Sequence, residues 1–247
     1  MGNLVYITEN DALQVIKDEM ASPRNKGLKG TEGFAEHLID TGRIAYDIAL
    51  QILSKHSSLK PFINPDALRV EGYMQDFGKI HSGPKYHEIA TADVILSRGK
   101  EMGLVAGGTQ SERTRALKEI ALIVPPDYAL FEALGGNDFP NNPAYPEVIG
   151  DFIERVSRLR RDLSDRGEPL TMEEFGLPFS LNQQIGLYAD LTNVNGQRVS
   201  VGGRVAEIEQ RYSQVGGKFY DPTYAELTRK IRPRVLVVGK TIENLLV

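Results

Sequence analysis

The segment Met74-Gln75-Asp76-Phe77-Gly78-Lys79 puts an amide, a carboxylate and an ammonium within six residues. On a helix Asp76 and Lys79 share a face, which places a hard oxygen donor beside a cation. His37 upstream and Asp190 downstream add an imidazole and a second carboxylate. The chain has no cysteine, so disulfides, zinc fingers and thiolate catalysis are excluded, and a metal site must use nitrogen and oxygen donors. His37 falls three residues after Phe34 and seven before Ile44; Asp76 falls three after Tyr73 and four before Ile80; Asp190 falls three after Leu187 and four before Val194. These spacings set all three against apolar helix stripes. A carboxylate in that position needs a partner or takes up a proton. A shared cation answers both acids at once, whereas an arginine or a helix cap answers each singly.

In order and approximate spacing, His37, the Gln75-Asp76 doublet with Gly78-Lys79, and the Asp190 segment from Tyr188 to Arg204 follow a known pattern, with Tyr86-His87-Glu88-Ile89-Ala90 between them. Over about residues 34–210 the chain resembles the HD superfamily of metal-dependent phosphohydrolases, with residues 211–247 as a C-terminal extension. The resemblance implies a helical bundle in which His37, Gln75, Asp76 and Asp190 hold one divalent ion, with Gln75 where the family has histidine. Such an ion polarises a phosphoryl oxygen and acidifies an attacking water. Asp76 is then catalytic in orienting that water. Lys79 steadies the phosphate as a catalytic and substrate-binding group, and His87 contacts substrate phosphate or packs beside the site. An amide oxygen in place of an imidazole weakens affinity for zinc, nickel or iron more than for magnesium or manganese, and the metal is left undetermined among manganese, magnesium, nickel and iron. Two functions follow from the resemblance: hydrolysis of a nucleotide-like phosphomonoester or phosphodiester, or a degenerate protein that binds a nucleotide or a protein partner without turnover.

The elements that must position these residues read as helices. Phe34, Leu38, Ala45, Ile48 and Ile52 recur at helical steps and predict a helix over about 33–55. Pro65 opens a second helix, with Asp66 in its first turn and a stripe of Val70, Tyr73, Phe77 and Ile80. A third begins near Pro84, carries His87 and stops at Gly99; the Thr109-x-x-Glu112 capping box opens another. Beyond it lie a segment around Tyr128 to Leu134, a Gly/Asn/Pro-rich loop over 135–143 with the character of a lid, and a helix from Pro146 to about Asp165. A polar hinge ending at Pro178 leads to a helix over about 183–194, and helical signal returns over 204–211 and 222–230. Only Val235-Leu236-Val237-Val238 looks like a strand, read as part of a hairpin or as extended tail. The expected fold is all-α, one domain over 1–247.

A net charge of -4 gives no overall attraction for nucleic acid, which is not favoured as a partner. No secretion signal and no apolar run of about 18 residues appears, so the expected setting is cytoplasmic, off the membrane, with a small phosphorylated substrate and the oligomeric state open. The Arg155–Arg166 run is interleaved with acids and reads as a solvated helix face, and Arg229, Lys230, Arg232 and Arg234 as a basic tail. Gly107-Gly108-Thr109 and Gly202-Gly203-Arg204 lack the context of a P-loop. Arg204 and Arg211 read as packing residues, His56 as exposed, and His81 as part of a linker.

Overall fold

The computed structural model describes residues 3–23, 25, 33–82, 87–124, 180–194 and 196–247. The predicted start of a helix at Pro84 and the features assigned between Tyr128 and Pro178, including the 135–143 loop, lie outside the described residues, as does the Arg155–Arg166 run.

Helix α1 (Glu9–Ala21) leads to α2 (Phe34–Lys55), whose buried residues Leu38, Ala45, Ile48 and Ile52 make the stripe read from the sequence. Helix α3 (Pro65–Met74) starts where Asn64 accepts the Ala67 N–H, with Pro65 in the first turn where its missing N–H costs nothing. Helices α2 and α3 cross closely at a pair of glycines. A Cβ on Gly72 would lie 2.5 Å from the Gly42 Cα, so backbone rests on backbone there.

The second predicted helix does not continue to Ile80. Helix α3 ends at Met74, a turn occupies 75–77, and a short α4 (Gly78–Ser82) follows. The break is filled by Thr91 of α5 (His87–Arg98), whose hydroxyl accepts the Gly78 N–H at 2.7 Å and donates to the Gln75 carbonyl at 3.0 Å. Apolar spacing still holds across the break because Phe77 and Ile80 are buried on the same side as Tyr73, which is why periodicity alone ran the two helices together.

Strand β1 (Val5–Tyr6) pairs antiparallel with β2 (Val105–Ala106), and α6 (Gln110–Ile123) opens on the full Thr109/Glu112 capping box. A second capping box, Ser180 with Gln183, opens α7 (Leu181–Leu191). A two-residue hairpin of β3 (Asn193–Val194) and β4 (Gln197–Arg198) then turns the chain into α8 (Val201–Ser213).

Residues 235–238 are helical, not strand: α9 runs from Pro222 to Leu246 through Pro233. Val235, Val238 and Ile242 are buried at helical spacing while Leu236 is 39% exposed. Four consecutive apolar residues carry no period, and only the flanking residues distinguish helix from strand. Helix α9 packs along α8 and reaches α2 and α7. Its end is tied to α2 by Lys55, which donates to the Leu246 carbonyl, and by the ring of His56, 3.1 Å from the Leu245 carbonyl. His56 is thus a structural contact and not a solvated exit residue. The architecture is mostly helical with two small antiparallel strand pairs, and among the described residues no helix is long and apolar enough to cross a membrane.

Candidate functional site

Helix α2 supplies His37, the 75–77 turn supplies Gln75 and Asp76, α4 supplies Lys79, α5 supplies His87 and α7 supplies Asp190. They meet. Gln75 Nε2 donates to Asp190 Oδ1 at 2.8 Å across 115 residues, and His37 Nε2 stands 3.5 Å from the same oxygen. Asp76 turns its other way: Oδ1 is 2.9 Å from His87 Nε2 and Oδ2 is paired with Lys79 Nζ.

Gly78 makes the second meeting possible. A Cβ there would lie 1.9 Å from the His87 carbonyl, so only glycine lets α5 approach the turn and bring its first residue to Asp76. The glycine of the Asp-x-Gly-Lys motif therefore has a steric reason in this chain.

Burial pushes the Asp76 carboxyl up, but Lys79 and His87 outweigh it and hold the acid far below the usual carboxylate range. Burial works against protonation of His37. The hydrogen bond to Asp190 and the charges of Asp190 and Asp76 overcome it, with Lys79 opposing, and the imidazole is raised above its ordinary value. Asp190 is less buried than its stripe predicted, its side chain 37% exposed, because α7 presents this edge toward the hairpin.

Two neighbours escaped the sequence reading. Asn193 at the start of β3 donates to Thr41 Oγ1 at 3.0 Å and to the His37 carbonyl at 3.3 Å, and its amide nitrogen stands 3.4 Å from His37 Nδ1. It fixes the ring from behind. Glu71 on α3, four residues before Gln75, is 3% exposed, and its Oε2 has no hydrogen-bond partner among the described residues. Burial, then the charges of Asp190 and Asp76, push its carboxyl up to about 8, so it is neutral at pH 7. Leaving such a group unsatisfied costs about 1–3 kcal/mol. The available signal was an acid on the same helix face as a candidate ligand.

A cleft of about 750 Å³ reaches His37 and Asp76, with Phe34 beside them and Asn193, Ser200, Gly203, Arg204, Glu207 and Arg211 contributed by β3, the α8 N-cap and one face of α8. Arg211 and Arg204 clasp Glu207 and hold its carboxyl below the usual range. The Arg204 Nε is buried without a partner among the described residues. Arg204 stands in the first turns of α8 and Arg211 in its last, so the Arg204 side of the cleft lies near the helix N-terminus, a place suited to an anion. The packing role read for these arginines is joined here by a place in the cleft wall. His81 lies elsewhere, in α4, with Nε2 3.4 Å from Glu19 Oε1 and its ring tilted against Phe77.

As they stand, the described residues assemble no group of three His, Asp or Glu side chains around one metal position. Asp76 faces Lys79 and His87, and Gln75 presents its N–H side to Asp190. The donor chemistry nonetheless suits a hard divalent ion: an imidazole, two carboxylates, an amide whose oxygen and nitrogen exchange by a flip, and the buried carboxyl of Glu71, whose Oε2 has no partner among the described residues. No protein-family model, no curated protein and no solved structure matches the chain, so the likeness to the HD superfamily rests on these residues alone.

Proposed function

We propose that the cleft binds a small phosphorylated, nucleotide-like molecule and that the chain hydrolyses its phosphate ester with one divalent ion held by His37, Asp76 and Asp190, Gln75 lending its amide oxygen. The observation that carries this reading is that His37 of α2 and Gln75 of the turn after α3 both reach one oxygen of the Asp190 carboxylate on α7 beside the cleft. The cleft lies within the size range of small-molecule sites. Phe34 suits a base or another flat apolar group, and the α8 side with Arg204 suits an anion.

The chemistry a divalent ion supplies in such a place is polarisation of a phosphoryl oxygen and of the attacking water. The protein's own part is positioning. His87 holds one oxygen of Asp76 and fixes the carboxylate plane. Lys79, 28% exposed, slides from Asp76 to the incoming phosphate and neutralises charge that persists through transfer. Asn193 keeps the His37 ring aimed at Asp190.

A second reading, binding without turnover, is favoured by one specific feature: both Asp76 oxygens and one Asp190 oxygen are already matched by Lys79, His87 and Gln75. Assays of a nucleotide panel with manganese, magnesium and nickel, on the native chain and on Gln75→His, separate the two. Hydrolysis by the native chain that EDTA abolishes and Asp190→Asn lowers at least about 100-fold is the expected result. Activity only in Gln75→His marks a lost enzyme. Silence in both, with nucleotide binding retained, establishes the binder.

A further inference from the structure

Glu71 on α3 and Gln75 at its C-cap are four residues apart, and Gly186 and Asp190 stand one turn apart on α7. The two helices face each other in the same register: Glu71 against Gly186, then Gln75 against Asp190. A methyl on Gly186 would lie 2.9 Å from Glu71 Oε2, so the carboxyl occupies the room that the absent side chain leaves. That room is buried, and the oxygen has no hydrogen-bond partner among the described residues. An acid is an expensive way to fill an apolar gap.

We propose that the buried Glu71 carboxylate joins Asp190 and Asp76 in holding the divalent ion, supplying the strong ligand that Gln75 does not. From α3 to its C-cap the two positions differ by one turn, about 5.4 Å, and a change of rotamer carries the glutamate carboxyl toward the Gln75–Asp190 contact. A third carboxylate shifts the donor set further toward oxygen, which selects magnesium, manganese or calcium over zinc or nickel. The raised carboxyl of Glu71 agrees with this, because Asp190 and Asp76 create a negative field there that a cation relieves. The inference rests on the metal site of the proposed function.

Manganese is the probe, followed by the loss of its free-ion electron paramagnetic resonance signal on titration into the full chain. The native protein is expected to take up one ion, Glu71→Gln to bind roughly 10–100-fold more weakly, and Asp190→Asn to weaken comparably. Melting curves in EDTA show whether Glu71→Gln is folded. Gly186→Ala keeps the glutamate but crowds its Oε2 and is expected to weaken manganese binding as well, so the test does not depend on one variant. Equal manganese affinity in the native chain and Glu71→Gln overturns the assignment while leaving the hydrolase reading intact. Binding that Glu71→Gln weakens, in a chain that hydrolyses no nucleotide, supports the assignment and removes the hydrolase. No uptake by the native chain overturns both.

Discussion

Asp76 is held by a lysine and a histidine at once, and that arrangement makes its neighbours depend on it. Replacing it by asparagine leaves His87, 8% exposed, and Lys79 without their anion. Lys79 reaches water, so the loss belongs at the lower end of the range for broken buried pairs, about 3 kcal/mol. Urea unfolding of Asp76→Asn at pH 7 measures it. Glu71 acts in the opposite sense. Its folded carboxyl, at about 8, lies above the ordinary value of 4.5, so between those values the unfolded chain has released a proton that the folded chain keeps. Stability therefore falls as pH rises through that window and levels off above it, by about 4–5 kcal/mol at most. The raised imidazole of His37 adds a loss of its own as pH rises through its folded value. Comparing Glu71→Gln with the native chain in EDTA, by urea midpoints from pH 5 to 8.5, isolates the glutamate: the variant gains on the native protein as pH increases. A gap that stays constant with pH shows that Glu71 titrates normally.

At the level of elements, the site depends on a helix that stops. Had α3 continued through Ile80 as its apolar spacing suggests, the carbonyl of Gln75 and the N–H of Gly78 would bond within the helix. Instead both bond to Thr91, and α5 comes in over Gly78 to place His87 on Asp76. Gly78→Ala drives a methyl into the His87 carbonyl, where backbone has to give. The expected result is a loss of about 3 kcal/mol or more, and, in what remains folded, a changed chemical shift for the His87 ring. Gly103→Ala, which meets nothing within 4 Å but carries a positive φ of 68°, gives a comparison in which only local backbone strain is introduced. The stop at Met74 was not legible because Thr91 is distant in sequence and carries no period. By contrast the start of α6 was legible, since Thr109 and Glu112 contain the whole capping box. Helix α9 failed for a third reason: Pro233 and a run of β-branched residues argue locally against helix, and burial of Val235, Val238 and Ile242 against α8, α2 and α7 overrides them.

For the whole molecule, His37 and Asp190 were legible because each sits on a helix at a fixed phase to apolar residues, and Gln75 and Asp76 because Tyr73, Phe77 and Ile80 stay buried on either side of their turn. Asn193 and the place of the α8 arginines in the cleft were not, since these arise only when the hairpin and α8 fold back beside His37, and the burial of Glu71 arises only when α3 packs on α7. The cleft is the outcome of that folding. Phe34 and His37 come from one end of the chain, Arg204 and Arg211 from the other, and a molecule seated there bridges the two. Such a ligand binds the folded state and not the unfolded chain, so at about 100 times its dissociation constant it stabilises by about 2.7 kcal/mol. For a chain of 247 residues that corresponds to a rise in melting temperature of about 5–10 °C. A nucleoside monophosphate is expected to produce the rise and the matching nucleoside a clearly smaller one, because the phosphate meets Lys79 or Arg204 beside the α8 N-terminus. Arg204→Ala is expected to lower nucleotide affinity about tenfold and to flatten its dependence on salt, with the nucleoside unaffected. Equal shifts from nucleoside and nucleotide in the native chain contradict an anion site in this cleft, whichever reading of turnover holds.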